Sequence, residues 1–313
     1  MADGERELVQ WLQERTGPPK WPVLLGIGDD MGIVEVDNAG AVLITCDMLL
    51  DGVHFDTRRD AMDQIGRKAL ACSLSDCAAM AVRPVAATVS IGWPAGTRSE
   101  DIRRLFDGLC NLAEEFSCAV VGGDTTSWRT NSPTLAIDVA MIATPYPGHP
   151  PIRRRGARVG DTLYVTGPLG GSRLGRHLTF TPRVREACQI AAATGPHLHA
   201  MLDLSDGLSL DLHRMCEASQ VGAELVEDLL TQVISEDAHR AAQEDEHSPL
   251  EHALNDGEDF ELLLAVAGDA PEPPAIQDAY LHPIGTVVPA GVSLRQRSGT
   301  SVPIEPAGWD HLR

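Results

Sequence analysis

Ala200-Met201-Leu202-Asp203-Leu204-Ser205-Asp206-Gly207 carries the chain from an apolar strand through a short acidic turn into a helix expected over residues 206 to 218, with Asp206 placed to cap it. Strand, acidic turn and helix in succession mark an α/β chain, whose binding loops collect at strand ends. The same mix of acid with Gly, Ser or Thr recurs at Gly28-Asp29-Asp30, Thr45-Cys46-Asp47, Ser75-Asp76, Gly122-Gly123-Asp124 and Gly257-Glu258-Asp259. Any one of these is most often a turn or a helix cap. Their joint occurrence favours a site. Carboxylates in tight backbone suit hard cations, and backbone N–H groups suit phosphate oxygens.

Composition narrows the class. At 313 residues with 43% hydrophobic content the chain can bury a large core, and its length suits two domains or one large one. A formal net charge of −20 argues against a nucleic-acid surface, whose affinity comes from clustered Lys and Arg. Seven cysteines, at 46, 72, 77, 110, 118, 188 and 216, include no C-x-x-C pair and fall mostly in apolar stretches, as expected of thiols kept reduced. The opening Met-Ala-Asp-Gly-Glu-Arg-Glu lacks a basic and apolar leader, and no uncharged apolar run reaches spanning length. A cytoplasmic protein with neither nucleic-acid nor membrane partners is expected.

Periodicity predicts a helix over 5–14, a buried strand over 41–45 ending near Asp47, a helix over 60–82 with Asp76 near its C-terminal end, and a strand over 85–91. A helix over 100–116 leads to a strand at 118–121. There the Gly122-Gly123 turn leaves Asp124 on a loop before the next strand, 134–143. The proline-rich stretch Thr144-Pro145-Tyr146-Pro147-Gly148-His149-Pro150-Pro151 cannot continue a helix or a central strand, and divides the chain into domains 1–147 and 148–313. The second half reads as strand 162–166, the turn Gly167-Pro168-Leu169-Gly170-Gly171, strand 200–203, the helix after Asp206, strand 223–226, a charged solvated helix within 235–252, and strand 260–266.

No P-loop, H-E-x-x-H, H-R-D, D-F-G or G-x-S-x-G signature is present. A carboxylate-rich, Mg²⁺-dependent site without a nucleophile remains. That combination suits phosphoryl transfer, in which the protein mainly positions groups and neutralises charge.

Gly26-Ile27-Gly28-Asp29-Asp30, Thr45-Cys46-Asp47-Met48-Leu49, Gly52-Val53-His54-Phe55, Lys68-Ala69-Leu70-Ala71, Leu74-Ser75-Asp76, Gly122-Gly123-Asp124-Thr125-Thr126, Asp203-Leu204-Ser205-Asp206-Gly207-Leu208, Gly257-Glu258-Asp259-Phe260-Glu261-Leu262 and Gly308-Trp309-Asp310-His311 follow one another in an order that resembles the thiamine-monophosphate kinase family. The wider superfamily includes aminoimidazole ribonucleotide synthetase, selenophosphate synthetase and a hydrogenase-maturation dehydratase. The resemblance implies an α/β, two-domain, aminoimidazole ribonucleotide synthetase-like fold. Its N-terminal sheet would pair in a homodimer, and its C-terminal domain would close over ATP and thiamine phosphate.

Carried over by position, the resemblance implies that Asp29, Asp30, Thr45, Cys46, Asp47, Asp76, Asp124, Asp203 and Asp206 lie at the Mg²⁺ ions. Gly123, Asp124, Arg154 and Ser205 would serve ATP. His54, Glu258, Asp259 and Trp309 would contact thiamine phosphate. No residue is expected to act as acid or base, because the acceptor is already anionic. The chain departs from the family at Cys46, at Ser73 in place of Asn, at Asp256 in place of Gly and at Phe260 in place of Tyr, and its 172–182 segment is short. Another ATP-dependent enzyme of the superfamily, or a non-catalytic binder of nucleotide or thiamine phosphate, is the alternative reading.

Overall fold

A computed structural model describes residues 5–37, 40–129, 134–270 and 280–309. The first half runs α1 (Glu5–Thr16), β1 (Val23–Leu25), β2 (Gly32–Val36), β3 (Gly40–Leu50), α2 (Met62–Ala79), β4 (Val82–Trp93), α3 (Ser99–Glu115), β5 (Ala119–Ser127) and β6 (Ala136–Pro145). Its sheet has the order β1-β2-β3-β6-β4-β5, with β4 and β5 parallel across the α3 crossover. The second half runs β7 (Thr162–Val165), α4 (Arg176–Thr179), α5 (Val184–Thr194), β8 (Leu198–Asp203), α6 (Leu208–Ser219), β9 (Gly222–Val226), α7 (Glu227–Leu230), α8 (Glu236–Ala241), α9 (Pro249–Asn255), β10 (Leu262–Val266), β11 (His282–Val288), β12 (Val292–Arg295) and β13 (Ser301–Pro303). Its sheet has the order β13-β12-β9-β11-β7-β10-β8.

Helix α2 joins the two halves. Its apolar and small residues, among them Ile65, Leu70, Leu74, Cys77 and Ala78, are buried on every side, the pattern of a helix with no solvent face. It lies against α3, β3, β4 and β6 of its own half and against α4, α5 and β8 of the other. One apolar core therefore crosses the proline-rich connection, with Leu74 and Met141 in the same cluster as Phe180, Ile190 and Leu264. Among the described residues no helix is long and apolar enough to cross a membrane.

Most predicted elements are present, with three differences. Gly122 and Gly123 are not a turn. The strand continues through them to Ser127, so Asp124 lies on edge strand β5. A register shift opposite Ala87 and Thr88 leaves Val121 unpaired, and a Cβ on Gly123 would stand 1.9 Å from the Val89 carbonyl oxygen, so the glycine answers a close strand approach. The 235–252 stretch forms two short helices with Ala238 and His252 buried, because apolar positions hidden among the charges dock them. Asp206 does not cap α6. The N-cap is Gly207 without a side-chain bond, and the Asp206 carboxylate pairs with Arg214 instead.

Helices α2 and α3 meet at glycines. A Cβ on Gly66 would lie 1.9 Å from the Leu105 oxygen, and one on Gly108 would lie 1.8 Å from the Asp63 oxygen. Gly108→Ala is therefore expected to destabilise the protein by about 1–3 kcal/mol through overpacking. Urea denaturation checks this by a lowered midpoint at constant slope. An unmoved midpoint would contradict so close a crossing.

Candidate active site

The polar residues of α2 organise the site. Lys68 and Ser73 are fully buried and Ser75 is 1% exposed, so each needs a partner. Ser73 Oγ donates to Asp47 Oδ2 at 2.6 Å, and Ser75 Oγ donates to Asp203 Oδ2 at 2.5 Å. Asp76 accepts the Thr45 hydroxyl. Lys68 Nζ donates to Glu258 Oε1 and to the His54 carbonyl, each at 2.5 Å. One helix thus fixes carboxylates that arrive from β3, from β8 and from the loop before β10.

Asp30, Asp76 and Asp203 each offer a carboxylate oxygen within 4.8 Å of the other two. Arg154 pairs with Asp30 at 2.6 Å, and its backbone N–H donates to Asp29 Oδ1 at 3.1 Å. Burial, reinforced by the charges of Asp47, Asp203 and Asp30, holds Asp76 well above the usual carboxylate range. Burial and then Asp30 do the same to Asp203. Asp29 is pushed up to about 6 by burial and by Asp30, and Asp47 to about 6 chiefly by burial. Among the described residues Asp30 Oδ2 is buried without a hydrogen-bond partner. An all-oxygen donor set of repelling carboxylates, one oxygen unsatisfied, fits a hard divalent cation.

Beside this group lies a cleft of about 280 Å³ bordered by Asp47, His54, Ser205, Asp206, Glu258 and Trp309, with Arg173, Asp256 and Phe260 on its walls. His54 Nδ1 accepts the Leu50 N–H at 3.0 Å, which makes Nε2 the protonated nitrogen of the neutral ring. Glu258 and Phe260 adopt positive φ, 55° and 50°, a conformation that costs side-chain-bearing residues of order 1–3 kcal/mol each. Their N–H groups bond Ser205 and Leu204 carbonyls, and Phe260 stacks on Phe180 at 4.2 Å. This backbone sends Glu258 toward the cleft and Asp259 away from it.

The predicted residues divide accordingly. Asp29, Asp30, Thr45, Asp47, Asp76 and Asp203 converge, while His54, Glu258, Ser205, Asp206 and Trp309 share the cleft. Asp259 does not reach it. Its buried carboxylate accepts from Gly170 N–H, Ser172 Oγ and Arg176, because the Glu258 and Phe260 conformations turn it inward. Cys46 borders the cleft but alternates onto the sheet face opposite Thr45 and Asp47. Gly123 and Asp124 stay on β5, and Asp124 is outside the three-carboxylate group. Asp310 and His311 lie outside the described residues.

The departures also find partners. Ser73 holds Asp47, and Asp256 accepts the Gly171 N–H at 2.7 Å. The short 172–182 segment keeps a 3-10 turn, Ser172–Leu174, and α4. Sequence reasoning gave Lys68 and Arg173 no role. A lysine inside an otherwise apolar helix pattern was the available signal for Lys68, since such a residue must meet a buried acid or an acceptor. Nothing local marked Arg173.

Residues 28–144 match the AIR synthase related protein N-terminal domain, and residues 166–295 match the corresponding C-terminal domain. The thiamine-monophosphate kinase of Rhodopirellula baltica is 40% identical over 280 residues, covering 87% of this chain and 84% of that protein. The one from Synechococcus elongatus is 32% identical, covering 77% of each. A solved structure described as AaThiL complexed with AMPPCP and TMP superposes with a TM-score of 0.81 at 28% identity, covering 98% of this chain and 97% of that one.

The raised carboxylates set a pH dependence. Asp29 and Asp47 release their protons near pH 6 when folded and near the ordinary carboxylate value of about 4 when unfolded. The folded state therefore binds more protons between those values. Stability of the chelator-treated protein should fall as pH rises from about 4 through about 6, and Asp76 and Asp203, held higher still, extend the fall beyond that interval. Melting curves in a chelator check this. A melting temperature that climbs over that interval would contradict the buried, repelling arrangement.

Proposed function

The chain belongs to the thiamine-monophosphate kinase family, and on that premise we propose that it transfers a phosphoryl group from ATP to thiamine phosphate, giving thiamine diphosphate and ADP in a Mg²⁺-dependent reaction. The observation that carries this reading is the adjacency of the carboxylate group and the cleft. Asp47 borders the cleft and adds its charge to that of Asp76, while Asp203 stands two residues before Ser205, which also borders it. The AaThiL complex, described with AMPPCP and TMP, supports the two substrates.

Two anions must meet in such a reaction, so charge neutralisation matters more than proton transfer. Asp30, Asp76 and Asp203, with Asp47 and Asp29 beside them, would hold Mg²⁺. When bound, the ion supplies the positive charge that screens donor from acceptor. The acceptor phosphate is anionic near neutral pH and needs no base. His54 orients substrate through its Nε2–H. Glu258, fixed by Lys68 through Oε1, keeps Oε2 without a hydrogen bond and offers its charge to a cationic ring. Trp309 offers an aromatic face to the same ring. Arg154 and Ser205 would contact ATP, with Arg154 also balancing Asp29 and Asp30.

The same proposal includes a homodimer. The outward face of the first sheet exposes Ile44, Met48, Val85 and Ile142, an apolar surface that a second copy would cover. The outward-facing Asp124 and Cys46 belong to that side of the sheet, whereas Gly123, paired with the buried Val89, alternates to the other side. The division at 147 and 148, supported by one sheet on either side of the proline-rich stretch, and a cytosolic location, supported by the unpaired cysteines, complete the reading.

Incubation of the purified protein with ATP, Mg²⁺ and thiamine phosphate should yield thiamine diphosphate. Asp76→Asn keeps the side-chain volume, removes the charge and is expected to lower kcat roughly a hundredfold or more. Asp228→Asn, on the exposed surface, should remain within about twofold of the parent. Near-parental turnover by the Asp76 variant would remove the carboxylate group from the mechanism. Sedimentation should show a dimer at micromolar concentration, and a fully active monomer would contradict the second copy.

A further inference from the structure

The cleft presents acids where the acceptor needs a cation. Asp47, Asp206, Asp256 and Glu258 border it, and Arg173 is the guanidinium among its described lining residues. A phosphate monoester carries about −1.5 to −2 charges at pH 7, so it enters this lining against repulsion unless a cation meets it.

Arg173 is built into place. It lies on the Ser172–Leu174 turn, whose approach is fixed by two acids. Asp259 accepts from Gly170 N–H at 3.0 Å and from Ser172 Oγ at 2.5 Å, and Asp256 accepts from Gly171 N–H at 2.7 Å. The side chain itself is 41% exposed. Its Nη2 donates to the Val53 carbonyl at 2.6 Å, its Nε stands 3.9 Å from Glu258 Oε2, beyond hydrogen-bond range, and its guanidinium lies 5.1 Å from the Trp309 ring centre.

We propose that Arg173 binds the phosphate of the acceptor, a deepening of the function proposed above that rests on that reading. The guanidinium lies between the Val53–His54 loop and Trp309, at the rim of the seat assigned to the cationic ring. Its planar fork can give two N–H groups to two phosphate oxygens, a match that a lysine ammonium does not reproduce. A cationic ring and Arg173 cannot share one face of the indole. Ring binding therefore releases the guanidinium from Trp309, and the phosphate on the same molecule receives it. Asp259, which does not reach the cleft, acts here as a positioning residue for the turn that carries Arg173.

Calorimetric titration of the parent, Arg173→Ala and Arg173→Lys with thiamine phosphate and with thiamine tests the assignment, together with steady-state kinetics and melting temperatures. Arg173→Ala should weaken thiamine phosphate roughly ten- to hundredfold, the range of charge-assisted hydrogen bonds, and raise its KM correspondingly. Its affinity for thiamine, which lacks the phosphate, should be unchanged or higher, with the KM for ATP and the melting temperature unmoved. Arg173→Lys should recover part of the loss. Equal weakening of both ligands, or unchanged thiamine phosphate affinity in a parent enzyme that turns over, would overturn the role of Arg173 alone. A parent that neither binds nor phosphorylates thiamine phosphate would overturn the function proposed above, and this assignment with it.

Discussion

A helix enclosed on every side must satisfy each polar atom it carries, and in this protein that constraint falls on Lys68, Ser73, Ser75 and Asp76 of α2. An unpaired buried hydroxyl costs of order 1–3 kcal/mol, and an unpaired buried charge costs more. The partners are site residues: Glu258, Asp47, Asp203 and Thr45. Packing and chemistry are therefore not separable along this helix. The interactions that let α2 occupy the junction of the two sheets are those that aim the carboxylates.

The electrostatic consequence is a concentration of negative charge at the junction. Arg154 balances Asp29 and Asp30, and Arg214 balances Asp206 and Asp211. Among the described residues Asp76 and Asp203 receive hydroxyl donors but no directly paired cation, and their proton affinity rises as burial and neighbouring charge require. Such an arrangement destabilises the metal-free fold, and under the proposed function a bound divalent cation would offset that repulsion, linking site and stability to one ion. The shared apolar core around α2 keeps the two halves in register while this occurs.

Much of this was legible from residue order. Asp29, Asp30, Asp47, Asp76 and Asp203 sit in turns, at strand ends or on regular elements that periodicity located, and folding brings them together, whereas Asp124 stays apart on β5. The misread positions share a cause: long-range pairing overrode local preference. Gly122-Gly123 resembles a turn, but the β4 backbone draws it into a bulged strand. Asp206 resembles a cap, yet Arg214 on the next turns of α6 takes its carboxylate. Asp259 resembles its neighbour Glu258 as a substrate ligand, but two positive φ values at Glu258 and Phe260 separate their directions. Arg173 becomes significant only when folding places it against Val53 and Trp309, residues 120 and 136 positions away in sequence. Neither pattern nor propensity carries that information.

The central claim is that Asp30, Asp76 and Asp203 jointly hold a divalent cation at the junction of the two sheets. Mn²⁺ is an oxygen-coordinated stand-in for Mg²⁺ that can be located by anomalous diffraction. Crystals of the active protein grown with Mn²⁺ and a non-hydrolysable ATP analogue should show an anomalous peak within about 2.1–2.3 Å of oxygens from these three carboxylates. An active protein whose Mn²⁺ lies elsewhere, with the three carboxylates contacting only protein, would contradict the account.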